Sequence, residues 1–307
     1  MMDNQIDREL LEKIADMLGK PVGAFNIRKD CGCDGRESTE NIQITSKEDK
    51  PGIDIRIKDG TVGETCHIPV IITQSGIQEM VYNDFFIGEN CDVDIIAGCG
   101  IHNCGSQDSR HDGVHTFYVG KNSRVKYTEK HYGEGDGKGG RIMNPQTVVY
   151  LEEGATIQMD TTQIRGIDST KRDTKIVCGK GAEAIVTERL LTHGEQIAES
   201  DMEIVLDGED SKGRVISRSV AQDNSNQVFY PRMVGNAQCF GHVQCDSIIM
   251  GDAKIKSIPA ITANCTEAQL VHEAAIGKIA GDQLLKLETL GLTPEEAEEC
   301  ILKGFLA

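Results

Sequence analysis

Residues 119–125 read VGKNSRV, and this short pattern recurs along the chain. An apolar residue is followed by a turn containing Gly or Asn, then by a small residue and a further strand. The same pattern occurs at residues 87–93 (IGENCDV), 151–157 (LEEGATI) and 177–183 (VCGKGAE). The turn residues Asn90, Asn122, Gly154 and Gly181 are separated by 32, 32 and 27 positions. A repeat of this size is typical of a solenoid, in which each repeat forms one coil.

Short strands are predicted almost throughout the region from Ile42 to Ile261. Segments such as Ile53–Ile57 alternate apolar and polar residues with period two. Gly or Asn at the turns can adopt the left-handed conformation that a sharp corner requires. We therefore predict a mainly β protein, with a right-handed parallel β-helix over residues 37–264. A β-sandwich is the alternative, although its strand-and-turn units usually run shorter, about 8–12 residues.

Helical patterns flank the predicted β-helix on both sides. We predict an N-terminal helix and loop over residues 1–36, because apolar residues from Ile6 to Leu18 recur at helical spacing. We expect this helix to pack on the end of the β-helix. Residues 265–307 predict two helices, the first over residues 267–290. The second begins at Thr293-Pro294, where Glu296 completes a capping box. One interpretation is that these helices cap the apolar edge of the last coil.

Composition excludes several classes of function. The chain has 307 residues, with 32 Lys and Arg against 49 Asp and Glu, a net charge of −17. This balance argues against binding nucleic acid or an anionic membrane. No apolar run approaches the roughly 18–20 residues that span a bilayer, and the polar N-terminus is not a signal peptide. The predicted location is the cytoplasm, where the 11 cysteines are expected to be reduced thiols.

A thiol, an imidazole and a carboxylate flank a predicted junction between sheet and helix: Cys245, His272 and Glu273. These are ligands for soft and borderline metals. Considered alone, Cys245 fits a buried inert thiol better than a ligand, because free Cys is among the most buried residue types. Neighbouring residues on a helix point about 100° apart, so at most one of His272 and Glu273 shares a metal ion with Cys245. Of the two, Glu273 is the stronger candidate.

Other cysteines are weaker candidates. Cys265, at the same junction, is a spare ligand, and Cys239 is predicted to be a packing residue. Cys31 and Cys33 supply only half of a tetrahedral site, so an ordinary loop with reactive thiols is favoured. The remaining set has a spacing that matches no standard zinc finger, and we do not predict a metal there. That set is Cys99, Cys104, His111 and His115.

Several separate motifs, in order, are similar to those of a known family. They are residues 82–84 (YND), 168–171 (DSTK), 218–221 (RSVA), 227–230 (QVFY), 244–247 (QCDS), 268–274 (AQLVHEA), 281–284 (GDQL) and 303–306 (KGFL). On these motifs the chain resembles the SufBD family, the scaffold components of iron–sulfur cluster assembly. The family's fold is a parallel β-helix.

The resemblance implies a function for the candidate residues. Cys245 becomes the cluster or sulfur-acceptor site, with Glu273 or His272 as a further ligand of a transient [4Fe–4S] or [2Fe–2S] cluster. It also implies a second copy at the C-terminal end of the β-helix and an ABC-type ATPase subunit on the C-terminal helices. A sulfur donor and recipient apoproteins complete the expected partners.

The protein itself is expected to be a scaffold and not an enzyme. Its Gly-rich residues 133–140 lack the spacing of a phosphate-binding loop, so ATP hydrolysis must come from another chain. Two other functions remain open. One is a polysaccharide-active β-helix enzyme using Asp168, Arg218 and Asp223, and the other is a purely structural solenoid.

Overall fold

The computed structural model describes residues 5–307, apart from the side chains of residues 164 and 165. The first four residues of the predicted N-terminal segment lie outside this description. The described part of the chain is mainly β, with 58% strand, and forms a β-solenoid of about eight turns with three helices. The prediction of a mainly β parallel solenoid with helices at both ends is confirmed.

The elements follow one another in chain order. The first half contains α1 (Gln5–Ala15), β1 (Ala24–Lys29), β2 (Gly32–Glu37), β3 (Ile42–Ser46), β4 (Gly52–Ile57), β5 (Val62–Ile72), β6 (Gln78–Ile87), β7 (Asp92–His102), β8 (Ser109–Val119), β9 (Arg124–Glu134), β10 (Arg141–Met143) and β11 (Gln146–Leu151). The second half contains β12 (Thr156–Arg165), β13 (Ser169–Cys178), β14 (Glu183–Thr192), β15 (Ile197–Leu206), β16 (Ser211–Ala221), β17 (Asn226–Gly235), β18 (Cys239–Ile249), β19 (Lys254–Ser257), β20 (Ala260–Ala263), β21 (Ala268–Gly277), α2 (Gly281–Thr289) and α3 (Pro294–Leu306).

Two long sheets enclose the core. One sheet has the order β2-β1-β5-β7-β9-β12-β14-β16-β18-β21. The other runs β19-β17-β15-β13-β10-β8-β6-β4-β3, with β11 beside β8 and β13 and with β20 beside β17. Two pairs at the N-terminal end are antiparallel, β1 with β2 and β3 with β4. The coils that follow pair in parallel, as strands of successive coils in a solenoid must.

The predicted corner residues adopt the left-handed conformation. The φ angles of Asn90, Asn122, Gly154 and Gly181 are 55°, 55°, 69° and 62°. The Asn90 amide donates to the Lys121 carbonyl at 2.9 Å, and the Asn122 amide donates to the Glu153 carbonyl at 3.0 Å. Each of these corners is thus tied to the corner of the next coil, which sets the repeat seen in the sequence.

Alternate residues of each strand point into the coil. Phe85 and Phe117 stack there with ring centroids 4.2 Å apart, and both are fully buried. The interior also contains charged and polar side chains that the strand pattern did not distinguish from exposed ones. These are Glu79, His111, His115, Glu129, His131, Arg172 and Glu188.

The N-terminal helix covers one face of a sheet. Leu10 and Ile14 of α1 lie over Gly98 and Gly100 of β7; a side chain at Gly98 would collide with the helix backbone, and one at Gly100 would crowd Leu10. The prediction that this helix packs on the end of the body was wrong, because the glycines of β7 create room for it on the face. It also ends at Ala15, since Asp16 adopts a positive φ of 52°.

The C-terminal segment differs from its prediction in one respect. Residues 268–277 form β21 and not the first half of a helix; only residues 281–289 are helical there. Ala, Gln, Leu and Glu favour helix, but the free edge of β18 supplies hydrogen-bond partners that outweigh this propensity. The capping box of α3 is confirmed: the Glu296 amide donates to Thr293 Oγ1 at 3.2 Å, and the Thr293 amide donates to Glu296 Oε2 at 2.8 Å.

Candidate functional site

The candidate residues lie on two neighbouring parallel strands at the end of the solenoid. Residues 239–248 of β18 pair with residues 268–277 of β21, and Val243 is opposite His272 in the register. Because side chains alternate along a strand, His272 points into the coil and Glu273 points away from it. The expectation that these two residues share a helix was therefore wrong, but they still face different directions.

An inner pair is formed by Cys245 and His272. The Cys245 Sγ lies 3.5 Å from His272 Nε2. Cys245 is 2% exposed, whereas His272 is half-buried. Burial raises the pKa of the Cys245 thiol to about 12, against a smaller opposing effect of the Ser257 hydroxyl. Burial also lowers the pKa of His272, so a neutral imidazole faces a protonated thiol.

An outer pair is formed by His242 and Glu273. His242 Nε2 lies 2.5 Å from Glu273 Oε1, and the Glu273 side chain is 64% exposed. The sequence analysis did not single out His242 as a functional residue. Its position three residues before Cys245 on the same strand does place it on the opposite face of the sheet. Glu273 and Cys245 thus lie on opposite faces of one strand pair within a single copy.

The strand β21 is the last of its sheet. One edge pairs with β18, and its other edge has no strand partner in the part of the chain that the structure describes. Val271 and Ile276 on this strand are 46% and 44% exposed. Unpaired edges with apolar side chains are sites where another strand can be added.

The remaining cysteines near this end do not join the inner pair. The Cys265 thiol donates to Glu267 Oε2 at 3.1 Å on the turn before β21. Cys239 is 6% exposed within the main core, in agreement with its predicted packing role.

Of the set of two cysteines and two histidines, Cys99, His111 and His115 line one cavity in the core, and Cys104 lies apart from them. Cys99 is buried, and Cys104 is exposed beside His102. His111 contacts Glu79, and His115 lies between Asn83 and Tyr127 in the core. Cys31 and Cys33 are exposed at the turn of the β1–β2 hairpin.

The residues proposed for sugar cleavage each make a structural contact. Asp168 forms a bidentate ion pair with Arg141, at 2.8 and 2.9 Å. Asp223 accepts a hydrogen bond from the Gly194 amide at 2.7 Å, and Arg218 donates to the Phe305 and Ala307 carbonyls. These contacts account for all three residues without a substrate.

The donor set of the two pairs suits iron chemically, because it contains a thiol, imidazoles and a carboxylate. Each of these two pairs, however, has only two donors. Across residues 5–307, no three His, Cys, Asp or Glu side chains are placed to hold one metal ion.

Comparison with known proteins identifies the family. The family model described as "SUF system FeS cluster assembly, SufBD core domain" matches residues 72–305. The chain belongs to the SufBD family. The resemblance in the sequence motifs is confirmed.

Curated SufBD family proteins are similar over most of this chain. One from Methanocaldococcus jannaschii is 28% identical over 275 residues, covering 88% of this chain and 86% of the relative. One from Archaeoglobus fulgidus is 26% identical over 273 residues, covering 88% and 72%. One from Methanothermobacter thermautotrophicus is 26% identical over 243 residues, covering 78% and 58%. All three are named iron–sulfur cluster assembly proteins.

None of the helices among the described residues has the length and apolar character needed to cross a bilayer.

Proposed function

We propose that this protein is a non-catalytic cytoplasmic scaffold on which a nascent iron–sulfur cluster is built as cargo. The single observation that supports this most is the inner pair, in which Cys245 Sγ lies 3.5 Å from His272 Nε2 at the last coil of the solenoid. A thiolate and a neutral imidazole are both iron ligands in clusters. The other buried thiols of the core, such as Cys66 and Cys178, lie deeper in the chain, with coils on both sides.

The ligand set is completed by a second copy. Clusters usually take four protein ligands, and each copy supplies an inner pair of two. The unpaired edge of β21 lies directly beside this pair, so a two-fold axis along that edge would bring two inner pairs together. In such a pair, Glu273 and His242 of the outer face contact the partner or serve as exchangeable ligands; the prediction that Glu273 is an iron ligand stays a prediction.

The C-terminal helices supply a surface for an ABC-type ATPase subunit. Leu302 and Leu306 of α3 pack on Val220 of the solenoid, whereas Leu285 and Leu290 are 59% and 72% exposed. Exposed apolar side chains on a docked helical pair suit a protein partner. In this proposal, ATP binding to that subunit moves the ends of the two copies and opens the inner pairs for assembly or transfer to recipient apoproteins.

Anaerobic reconstitution with ferrous iron and inorganic sulfide tests the function. The wild-type protein should turn brown, with absorbance from thiolate-to-iron charge transfer, and Cys245→Ser should lose most of it. Cys178→Ala is the matched control, because it removes another fully buried inner-face thiol that has no imidazole contact among the described residues. Equal loading of wild type and Cys245→Ser would refute the site, and no loading of either would refute the scaffold.

The paired state has a separate test. Gel filtration with light scattering should show a dimer, either of the protein alone or after addition of the ATPase and a nucleotide. A monomer under every condition would remove the second copy from the proposal.

A further inference from the structure

Two exposed thiols lie two positions apart at the N-terminal end of the solenoid. Cys31 and Cys33 are both exposed at the turn of the β1–β2 hairpin. They lie outside residues 72–305, the part of the chain that the family model matches. The other fully exposed cysteines, Cys104 and Cys300, have no second cysteine within four positions along the chain. The hairpin is therefore the one place where the sequence itself brings two accessible thiols together.

The hairpin turn holds the first of these thiols in place. Asp30 and Cys31 have positive φ angles of 44° and 67°, as the two central residues of a tight hairpin turn require. The Asp30 carboxylate accepts hydrogen bonds from the amide and the hydroxyl of Thr73, both at 2.7 Å. The turn is thus tied to the loop after β5. On the other side of Cys31, Gly32 has no side chain, so the backbone adjusts most easily there.

The spacing of the two cysteines suits a disulfide after a small contraction of the backbone. Gly32, between them, is the first residue of β2. Cα atoms two positions apart in an extended strand are separated by about 6.6 Å. A disulfide allows about 4.4–6.8 Å between its Cα atoms and usually has about 5.5–6 Å. Closing the bond therefore draws Cys31 and Cys33 together by about 1 Å, and this movement shifts the carbonyl group of Cys31.

The carbonyl group of Cys31 is one of the groups that position Arg28. Arg28 Nη2 donates to this carbonyl at 3.1 Å, and Arg28 Nε donates to Glu79 Oε1 at 3.1 Å. The Glu79 side chain is 4% exposed, and its other oxygen lies 3.1 Å from His111 Nδ1. Cys33 is opposite Arg28 in the register of the hairpin. The hairpin that carries both thiols thus also carries the guanidinium that neutralises a buried carboxylate.

We propose that Cys31 and Cys33 form a reversible disulfide, and that closing it weakens the ion pair between Arg28 and Glu79. The oxidant is a low-molecular-weight disulfide of the glutathione type. One protein thiolate attacks a sulfur of this oxidant, so that a mixed disulfide forms and the first glutathione leaves. The other protein thiolate then attacks the protein sulfur of the mixed disulfide, and the second glutathione leaves.

The exchange balances without any further reactant. The two protons of the protein thiols end on the two glutathione thiols, and two electrons pass from the protein to the oxidant. Exposed disulfides are also the labile ones, which excess thiol reduces again. The state of the hairpin therefore follows the ratio of oxidised to reduced glutathione, and the Cys31 carbonyl transmits that state to Arg28.

Mass spectrometry of the full chain tests the disulfide. The reduced protein is incubated with oxidised glutathione, the remaining thiols are blocked with iodoacetamide, and the peptides are weighed. The peptide with Cys31 and Cys33 should lose two hydrogen atoms and carry no blocking group, and dithiothreitol should restore both thiols. Cys104 and Cys300 are internal controls, which should carry glutathione or stay free.

The Cys33→Ser variant should stop at the mixed disulfide, with glutathione on Cys31. If both cysteines of the wild-type hairpin stay free, or each carries its own glutathione, the proposal is overturned. This decisive comparison uses the wild-type protein, so it does not depend on the folding of a variant.

Hydrogen exchange by mass spectrometry tests the effect on the core. Oxidation should speed exchange in residues 78–87, the strand that carries Glu79, and the same treatment should leave this strand unchanged in Cys33→Ser. Residues 226–235, toward the other end of the solenoid, should exchange equally in both states. A closed disulfide with unchanged exchange in residues 78–87 would overturn the effect on Glu79. Neither measurement involves iron, so both are independent of the scaffold function.

Discussion

Inward-facing polar residues are enclosed by coils on both sides in the middle of the solenoid, but not in its last coil. In the middle, Arg172 lies between Glu129 and Glu188, and all three are buried. At the end, Cys245 and His272 also point inward, but within residues 5–307 the strand of His272 pairs with another strand on one side only. The strand geometry is the same, and the difference is the presence of a further coil. Polar groups sealed between coils bind each other, whereas those at an open edge can bind something else.

In the middle of the solenoid, the guanidinium of Arg172 lies close to the carboxyl groups of both Glu129 and Glu188. Arg172 Nη1 donates to Glu129 Oε2 at 2.5 Å, and its Nε is 3.6 Å from Glu188 Oε1. Burial opposes ionisation of Glu129, but Arg172 and His131 outweigh it and hold the pKa of this carboxyl well below its ordinary value. Burial raises the pKa of Glu188, despite Arg172 and a hydrogen bond from Ser200. One guanidinium is thus shared by two carboxyl groups.

The largest expected effect is on this central group. Arg172→Met leaves Glu129 without its counter-ion in the core, and breaking a buried pair in this way costs about 3–5 kcal/mol. Urea denaturation followed by circular dichroism would measure the free energy of unfolding. Arg232→Met is the control, because it removes a half-exposed Arg paired with Asp201 and Glu203 and should cost about 0–1 kcal/mol. An equal loss in the free energy of unfolding in the two variants would contradict the claim that Arg172 and its carboxylate partners are shielded from solvent in the core.

A pH dependence follows from His115. Burial lowers the pKa of this imidazole from 6.5 to about 4. The folded state therefore binds fewer protons than the unfolded state between these values, and stability is full above pH 6.5 and falls as pH decreases toward 4. From neutral pH to about pH 5 this single group should remove roughly 2 kcal/mol.

His115→Asn should lack that part of the acid sensitivity. The free energy of unfolding of both proteins would be compared at neutral and at mildly acidic pH. His193→Asn is the control, because His193 lies at a half-buried corner. An identical loss of stability on acidification in wild type and His115→Asn would show that this histidine does not stay neutral in the core.

At the last coil, the inner and outer pairs give different expectations. His272→Ala removes the donor beside Cys245 and should weaken iron loading at least about tenfold, since even residues that only support ligands contribute 10- to 100-fold. Glu273→Gln keeps the shape of the outer pair, and its effect should be smaller in an isolated copy. Iron titration under anaerobic conditions would measure both. If Glu273→Gln weakened iron loading more than His272→Ala, Glu273 and not His272 would be the main further iron ligand beside Cys245.

The sequence predicted the solenoid but not its interior. Asn90 and Asn122 are visible as corners because a left-handed turn restricts the residue type. The burial of Glu129 and Arg172 could not be predicted, because the alternating pattern of a strand does not distinguish a polar residue that points inward from one that points outward. Of the candidate ligands, His272 does lie beside Cys245, whereas Glu273, which the sequence favoured, faces away from it. The strand β21 was mistaken for a helix because its composition favours one and its partner strand lies about 30 residues earlier.

The smallest expected effect is at the C-terminal helices. Thr293→Ala removes the side chain that caps α3 and should cost about 1 kcal/mol. Hydrogen exchange by mass spectrometry would detect faster exchange in α3 with little change in the central coils. Faster exchange throughout the solenoid would mean that the end and the middle unfold as one unit.

The one-sided pairing of β21 has a kinetic consequence for Cys245. A terminal coil that contacts one neighbouring coil unfolds locally more often than coils that contact two. Each such opening uncovers a sulfur that is 2% exposed in the closed form. We therefore expect the rate at which thiol reagents reach Cys245 to follow local unfolding of the last coil, and a partner bound to that edge to lower this rate.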